Sequence, residues 1–197
     1  MATMSETYKA LAPIIGLLEV ELAQVVRSLQ AASLLPLVKR GRRANPPNIA
    51  ARHCATLLIG IACSRPAGMR MAMALGPRVR SFKRLKAVWP PDGCAGGLGA
   101  DLTWLIEQHR DPNWVAENGD SWRRARLVFI TNEHRPEVCI ELPARKILYR
   151  RPTNDVDVFD DDPAASCRCV DSFLMGGGVF AELGRLLGYI DPKAKAA

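Results

Sequence analysis

The stretch from Tyr8 to Pro36 constrains the fold more than any other part of the chain. It opens on the apolar run Leu11-Ala12-Pro13-Ile14-Ile15-Gly16-Leu17, and Leu18, Leu22, Val25, Val26 and Leu29 then recur at helical spacing on one face. A glycine between two apolar helical segments supplies the positive φ of a tight turn. A small residue four positions earlier, Ala12, lets the two helices approach closely. The spacing therefore predicts a helix, a turn at Gly16 and a second helix from about Leu18 to Ala32, with Leu11, Ala12, Ile15, Leu17, Leu22 and Val25 facing inward. Pro13 falls where the first helix should still be running. An interior proline removes a hydrogen bond and clashes with the preceding turn, at about 3 kcal/mol, so the sequence predicts either a kink or a helix that begins near Pro13.

Past Leu34-Leu35-Pro36 comes the basic cluster Lys39-Arg40-Gly41-Arg42-Arg43, followed by Asn45-Pro46-Pro47. Glycine and paired prolines rule out a regular helix there. Four cations around a glycine suit a hairpin or arm that crosses a phosphate backbone or enters a narrow minor groove. Seven positions of the helix pair (Leu11, Ala12, Ile15, Gly16, Leu17, Leu22 and Val25) agree at fixed spacing, and with the basic arm they resemble the helix-turn-helix of bacterial and phage DNA-binding regulators. The run from Ser28 to Pro36 is similar to the passage from a recognition helix into a winged-helix hairpin. The resemblance covers roughly the first third of the chain.

The resemblance implies a recognition helix whose outward face carries Gln24, Arg27 and Ser28. Glutamine can bond adenine and arginine guanine in bidentate fashion, so Gln24 and Arg27 are the expected base readers. Lys39, Arg40, Arg42 and Arg43 would contact phosphates or the minor groove. Double-stranded DNA is the implied partner, and a homodimer would let two recognition helices address half-sites about one helical turn apart. Glu19 and Glu21 depart from the pattern, because they would repel phosphates where the helix enters the groove, although a carboxylate can accept from cytosine N4. The basic loop leading into Ala55-Thr56-Leu57-Leu58-Ile59 also resembles proteins of tailed phages and prophages.

Charge is divided unevenly. Residues 1 to 90 hold 14 Lys or Arg against 3 Asp or Glu, an excess of 11, whereas residues 91 to 197 hold 13 against 17, a deficit of 4. This is the footprint expected of a phosphate-contacting part joined to a part with another role. Within the first part, Asn48 reads as the N-cap of a helix from about Ile49 to Cys63, with Cys54, Leu57, Leu58 and Ile61 on its apolar side. Residues 65 to 88 are basic and methionine-rich, and read either as a second DNA-contacting surface or as a solvated linker helix anchored by Phe82, Leu85 and Val88.

The break at Trp89-Pro90-Pro91-Asp92-Gly93 and Gly96-Gly97-Leu98-Gly99 marks the expected boundary between a basic domain, 1 to 90, and a smaller one, 91 to 197. In the latter, Asp101 is expected to cap a helix through His109 that Asp111-Pro112-Asn113 ends. Arg126 to Thr131 and Glu137 to Leu142 are rich in β-branched and aromatic residues and flank Asn132-Glu133-His134-Arg135-Pro136, a hairpin signature. A third strand is expected over Lys146 to Arg150, and an amphipathic helix from Val179 to Leu187, ended by Gly188. The fold class is α+β: an N-terminal helical, winged helix-turn-helix domain, then a small domain of antiparallel β-hairpin and C-terminal helix for oligomerisation or regulation.

Other chemistries find little support. The glycines near 96 lack the Gly-Lys-Ser/Thr ending of a phosphate-binding loop. The five aspartates between Asp155 and Asp162 lack the glycine and terminal glutamate of an EF-hand and read as an acidic solvated loop. The six cysteines offer only Cys167-Arg168-Cys169 as a close pair, with the wrong spacing for zinc, while Cys54 and Cys63 read as small core residues. No paired carboxylates with a nearby lysine, no nucleophile with a base and no metal cluster stand out. No catalytic activity, metal or cofactor is therefore expected. No apolar run approaches the roughly 20 residues that span a bilayer, and Met1 to Thr7 lack a signal-peptide layout, so a cytoplasmic protein without membrane contact is expected. The expected function is sequence-specific DNA binding, as a transcriptional regulator of a phage or mobile element. The alternative is a phage-encoded module that binds a host protein and inhibits its nucleic-acid machine, for which the aspartates of 155 to 162 would serve as a decoy.

Overall fold

A computed structural model describes residues 3–37, 48–64, 72–87, 97–130, 137–150 and 172–188. The expected wing at 38–47, the basic residues 65–71, the hairpin turn at 132–136, the aspartates of 155–162 and Cys94, Cys167 and Cys169 lie outside the described residues.

Helix α1 (Met4–Ile15) starts a full turn before Tyr8 because Thr3 and Glu6 form a capping box. The Thr3 hydroxyl accepts from the Glu6 N–H at 3.3 Å, and the Glu6 carboxylate accepts from the Thr3 N–H at 2.7 Å. Those bonds hold the Glu6 carboxyl below the usual carboxylate range. Pro13 lies inside α1, in its last turn and exposed, so the helix neither starts at the proline nor stops there. Helix α2 (Glu19–Ala31) follows within a residue of the expected bounds.

Helix α3 (Ala51–Ser64) is buried all the way round from Cys54 to Cys63, not only on the side of Leu57, Leu58 and Ile61. A helix apolar on every face must sit at the centre of a fold, and α3 packs against α2 on one side and, on others, against α4 (Ala72–Lys83) and α5 (Leu98–Gln108). Asn48 is not its cap: the ring of His53 reaches back, Nδ1 accepting from the Ala50 N–H at 3.1 Å. Helix α4 buries Leu75, Val79 and Phe82, so this part of the basic stretch is core and not a solvated linker.

The sheet is antiparallel and five-stranded, in the order β1-β4-β3-β2-β5. Its members are β1 (Lys86–Ala87), β2 (Arg126–Ile130), β3 (Glu137–Leu142), β4 (Arg145–Arg150) and β5 (Ser172–Gly176). The expected hairpin is β2 and β3, with Arg126 opposite Glu141 and Ile130 opposite Glu137. Alternation puts Leu127, Phe129, Val138, Ile140, Ile147, Tyr149 and Met175 on the buried face. Three elements went unread: β1, which pairs with β4, β5, which pairs with β2, and α6 (Pro112–Arg123). Asp111-Pro112-Asn113 starts that helix instead of ending α5. Asp111 accepts from the Asn113 N–H at 3.0 Å, and Pro112 occupies the first turn, where its missing N–H costs nothing.

Asp101 is likewise not a cap. Gly97 precedes α5, and Asp101 is buried one turn in. Helix α7 (Gly178–Leu187) packs on α1, α5 and α6. One hydrophobic core is continuous across the expected boundary at residue 90: α3 packs on α5, and β1 pairs with β4. The class is thus mixed helix and antiparallel sheet. Among the described residues no helix is long and apolar enough to cross a membrane.

Candidate nucleic-acid interface

The α1–α2 corner is built as the spacing demanded. Gly16 adopts φ 70° and ψ 35°, the left-handed region that favours glycine, and its N–H donates to the carbonyl of Ala12. Leu17 donates to the same carbonyl at 3.0 Å. Leu11, Ala12, Leu22 and Val25 are buried, and Ile15 and Leu17 pack against the core while half exposed.

Leu18 differs from its expected place on the inner face. It is the residue before α2, outside the helical register, and is 66% exposed. With Ile14, 44% exposed, and Val20, 63% exposed, it forms an apolar knob around the turn that the helical stripe concealed. Glu21 acts locally. Its carboxylate accepts from the Leu18 N–H at 3.0 Å, satisfying an otherwise unpaired donor at the positive end of α2.

Leu22, Val25, Val26 and Leu29 anchor α2 to the core. Its far face presents Gln24 and Arg27 to solvent, with Ser28 half-buried beside them. The Arg27 Nε donates to the Ala23 carbonyl at 3.3 Å, which lays the guanidinium along the helix. Lys39, Arg40, Arg42 and Arg43 fall outside the described residues, so the geometry speaks only for the helix part of the expected site.

Helix α2 is held firmly from behind. A Cβ on Gly60 of α3 would stand 2.6 Å from Leu29 Cδ1, so the two helices approach closely there and a larger residue would require the Leu29 side chain to shift. At its C-terminus Arg80 of α4 donates from Nη2 to the Ala32 carbonyl at 2.9 Å, a cation at the negative end of the helix. Arg80 thus closes the end of α2 while its side chain stays exposed.

A second group of cations gathers where α3 begins and α4 ends. Arg52 and Lys83 both act on His53, whose imidazole is held below its usual range by burial first and by those two charges next. Lys83, half-buried, is itself lowered by desolvation. Sequence reading missed this group, because its members are separated by 30 residues. In the second part, His109 is buried between Trp114 and Phe180, its Nδ1 2.8 Å from the Leu105 carbonyl, and burial lowers its pKa. Comparison with protein families, with curated proteins and with solved structures returns no match to this chain.

Proposed function

We propose that this chain binds double-stranded DNA as a sequence-specific, non-catalytic regulator of a phage or mobile element, acting in the cytoplasm as a homodimer. The observation that carries the reading is the α1–α2 corner: a left-handed glycine at Gly16 joins the two helices, and the second offers Gln24 and Arg27 to solvent. In this reading α2 enters the major groove, Gln24 and Arg27 address base edges, and Ser28 bonds a nearby phosphate or base. Residues 38–47 act as the wing, Lys39, Arg40, Arg42 and Arg43 following the phosphates. The excess of 11 positive charges in residues 1 to 90 supports a polyanionic partner. Local use of Glu21 at the start of α2 also removes part of the objection to acidic residues there.

The knob of Ile14, Leu18 and Val20 favours a second reading, in which the corner docks on a host protein of nucleic-acid metabolism. Titration of labelled duplex with the full chain across a salt series distinguishes the two. Salt-sensitive binding weakened by Gln24→Ala with Arg27→Ala supports DNA recognition by α2. Absence of binding by a folded protein overturns it and directs attention to the knob.

A further inference from the structure

Among the described residues the helices meet the sheet on one face, where Phe82 meets Phe129 and Asp101 meets Tyr149, and the residues of the other face fall into three rows. The central row is apolar: Leu174, Val128, Cys139 and Leu148 stand side by side across β5, β2, β3 and β4. Leu174 is 57% exposed, and the other three are half-buried. On one side of it lies the row Arg126, Glu141, Lys146, in which Glu141 holds Lys146 at 2.7 Å. On the other lies the row Ile130, Glu137, Arg150, in which Arg150 Nε holds Glu137 at 2.8 Å. An apolar band fenced by charges of both signs is the form of a surface that meets another surface, not of one that meets water alone.

We propose that this face packs on the same face of a second copy, as two sheets about 10 Å apart with their strands aligned, around a two-fold axis that runs along the strands between β2 and β3. Charge and the cover of Leu174 together select that placement: an axis between β3 and β4 would also set opposite charges together, Glu141 over Lys146 and Glu137 over Arg150, but would leave Leu174, the most exposed apolar residue of the face, outside the contact. With the axis between β2 and β3, Arg126 of each copy lies over Glu141 of the other, Val128 over Cys139 and Leu174 over Leu148, so apolar meets apolar and two interprotein ion pairs form. With the axis along β3, Glu141 would lie over Glu141 and Arg126 over Lys146. With the axis across the strands, Glu141 would lie over Glu137 and Lys146 over Arg150. These last two set like charges face to face, which costs specificity as well as energy. The inference supplies an interface for the homodimer of the DNA reading, yet it uses only residues of the sheet, so the mass of the protein tests it independently of DNA binding.

The test is the mass of the full chain in sedimentation equilibrium. The wild type is expected at twice its 21.6 kDa. Arg126→Glu alone sets Glu over Glu across the axis and Glu141→Arg alone sets Arg over Arg, so each variant is expected at the monomer mass. An equimolar mixture of the two restores both ion pairs and is expected to return to the doubled mass, a rescue that no effect within one protomer can produce. Leu174→Lys, at an exposed position the fold tolerates, is expected to give a folded monomer and keeps the test open if either charge variant fails to fold. A monomeric wild type, dimers unaffected by all three substitutions, or a mixture that stays monomeric would overturn the proposal.

Discussion

Tyr149 on β4 donates its hydroxyl to Oδ2 of Asp101 on α5 at 2.9 Å, with both side chains buried. The pair ties the sheet to the helical layer within the part expected as the second domain, residues 91 to 197. A buried carboxylate deprived of a donor costs about 1–3 kcal/mol or more, and the ring of phenylalanine would keep the packing. Tyr149→Phe is therefore expected to lower unfolding free energy by about 1–3 kcal/mol. Urea denaturation followed by circular dichroism measures it. An unchanged midpoint would mean the bond contributes nothing.

The approach of α7 to the end of α5 depends on Gly184. A Cβ there would stand 2.5 Å from the carbonyl oxygen of His109 and 2.8 Å from its Cβ. Backbone cannot give way as a flexible side chain can, so Gly184→Ala is expected to cost about 1–3 kcal/mol, the usual range for overpacking. Gly178→Ala, where no atom lies within 4 Å of the added carbon, is the matched control and is expected to be neutral or slightly stabilising. Equal midpoints for the two variants would contradict the close approach.

Burial lowers the pKa of His109, and of His53, from an ordinary 6.5. The fold disfavours the charged form of both rings, whereas the unfolded chain takes up protons on them below pH 6.5. Between the folded and unfolded pKa values the unfolded state binds more protons, so stability rises with pH there. It is therefore fully present above pH 6.5 and lost as pH falls below that value. Denaturation midpoints measured across the range from about pH 8 to about pH 5 check this, and His109→Gln should flatten part of the slope, leaving the His53 share.

The thiols of Cys54 and Cys63, both on α3, are pushed up to about 12 by burial. Thiolate is the reactive form, so at about pH 8 the folded protein should leave both cysteines unlabelled by iodoacetamide, with labelling only after denaturant is added. Peptide mass mapping reads this directly. Rapid modification of either residue in the folded protein would contradict the central placement of α3.

Much of the fold was legible because the physics was local. The glycine turn, the stripes of α2 and α7 and the alternation of β2 and β3 each follow from a few adjacent residues. What escaped was ambiguous or non-local. Asp111-Pro112-Asn113 can end one helix or begin the next, and only α6 decides which. Strand β5, Ser-Phe-Leu-Met-Gly, lacks β-branched residues, and its strand conformation comes from pairing with β2. Asp101 read as a cap because a short acidic residue near a helix start usually is one, and its partner Tyr149 lies 48 residues away. Arg80 falls in the stretch 65 to 88, read as a second DNA-contacting surface or a solvated linker helix, because sequence shows its charge and not the Ala32 carbonyl it meets. Of the site, the helix residues Gln24 and Arg27 were readable from the face opposite the apolar stripe, and the knob at Leu18 was not, since the stripe includes that position by count.

The central claim is that α2 and the arm after it recognise DNA, and the slope of log affinity against log salt for a random duplex tests it most directly. The full wild-type chain should bind with affinity that falls steeply as salt rises. Lys39→Ala, Arg40→Ala, Arg42→Ala and Arg43→Ala made together should reduce the slope by about 3–4, at roughly 0.9 for each phosphate left unneutralised. Equal slopes for the wild type and a folded quadruple variant, or no binding by the wild type at low salt, would contradict the account.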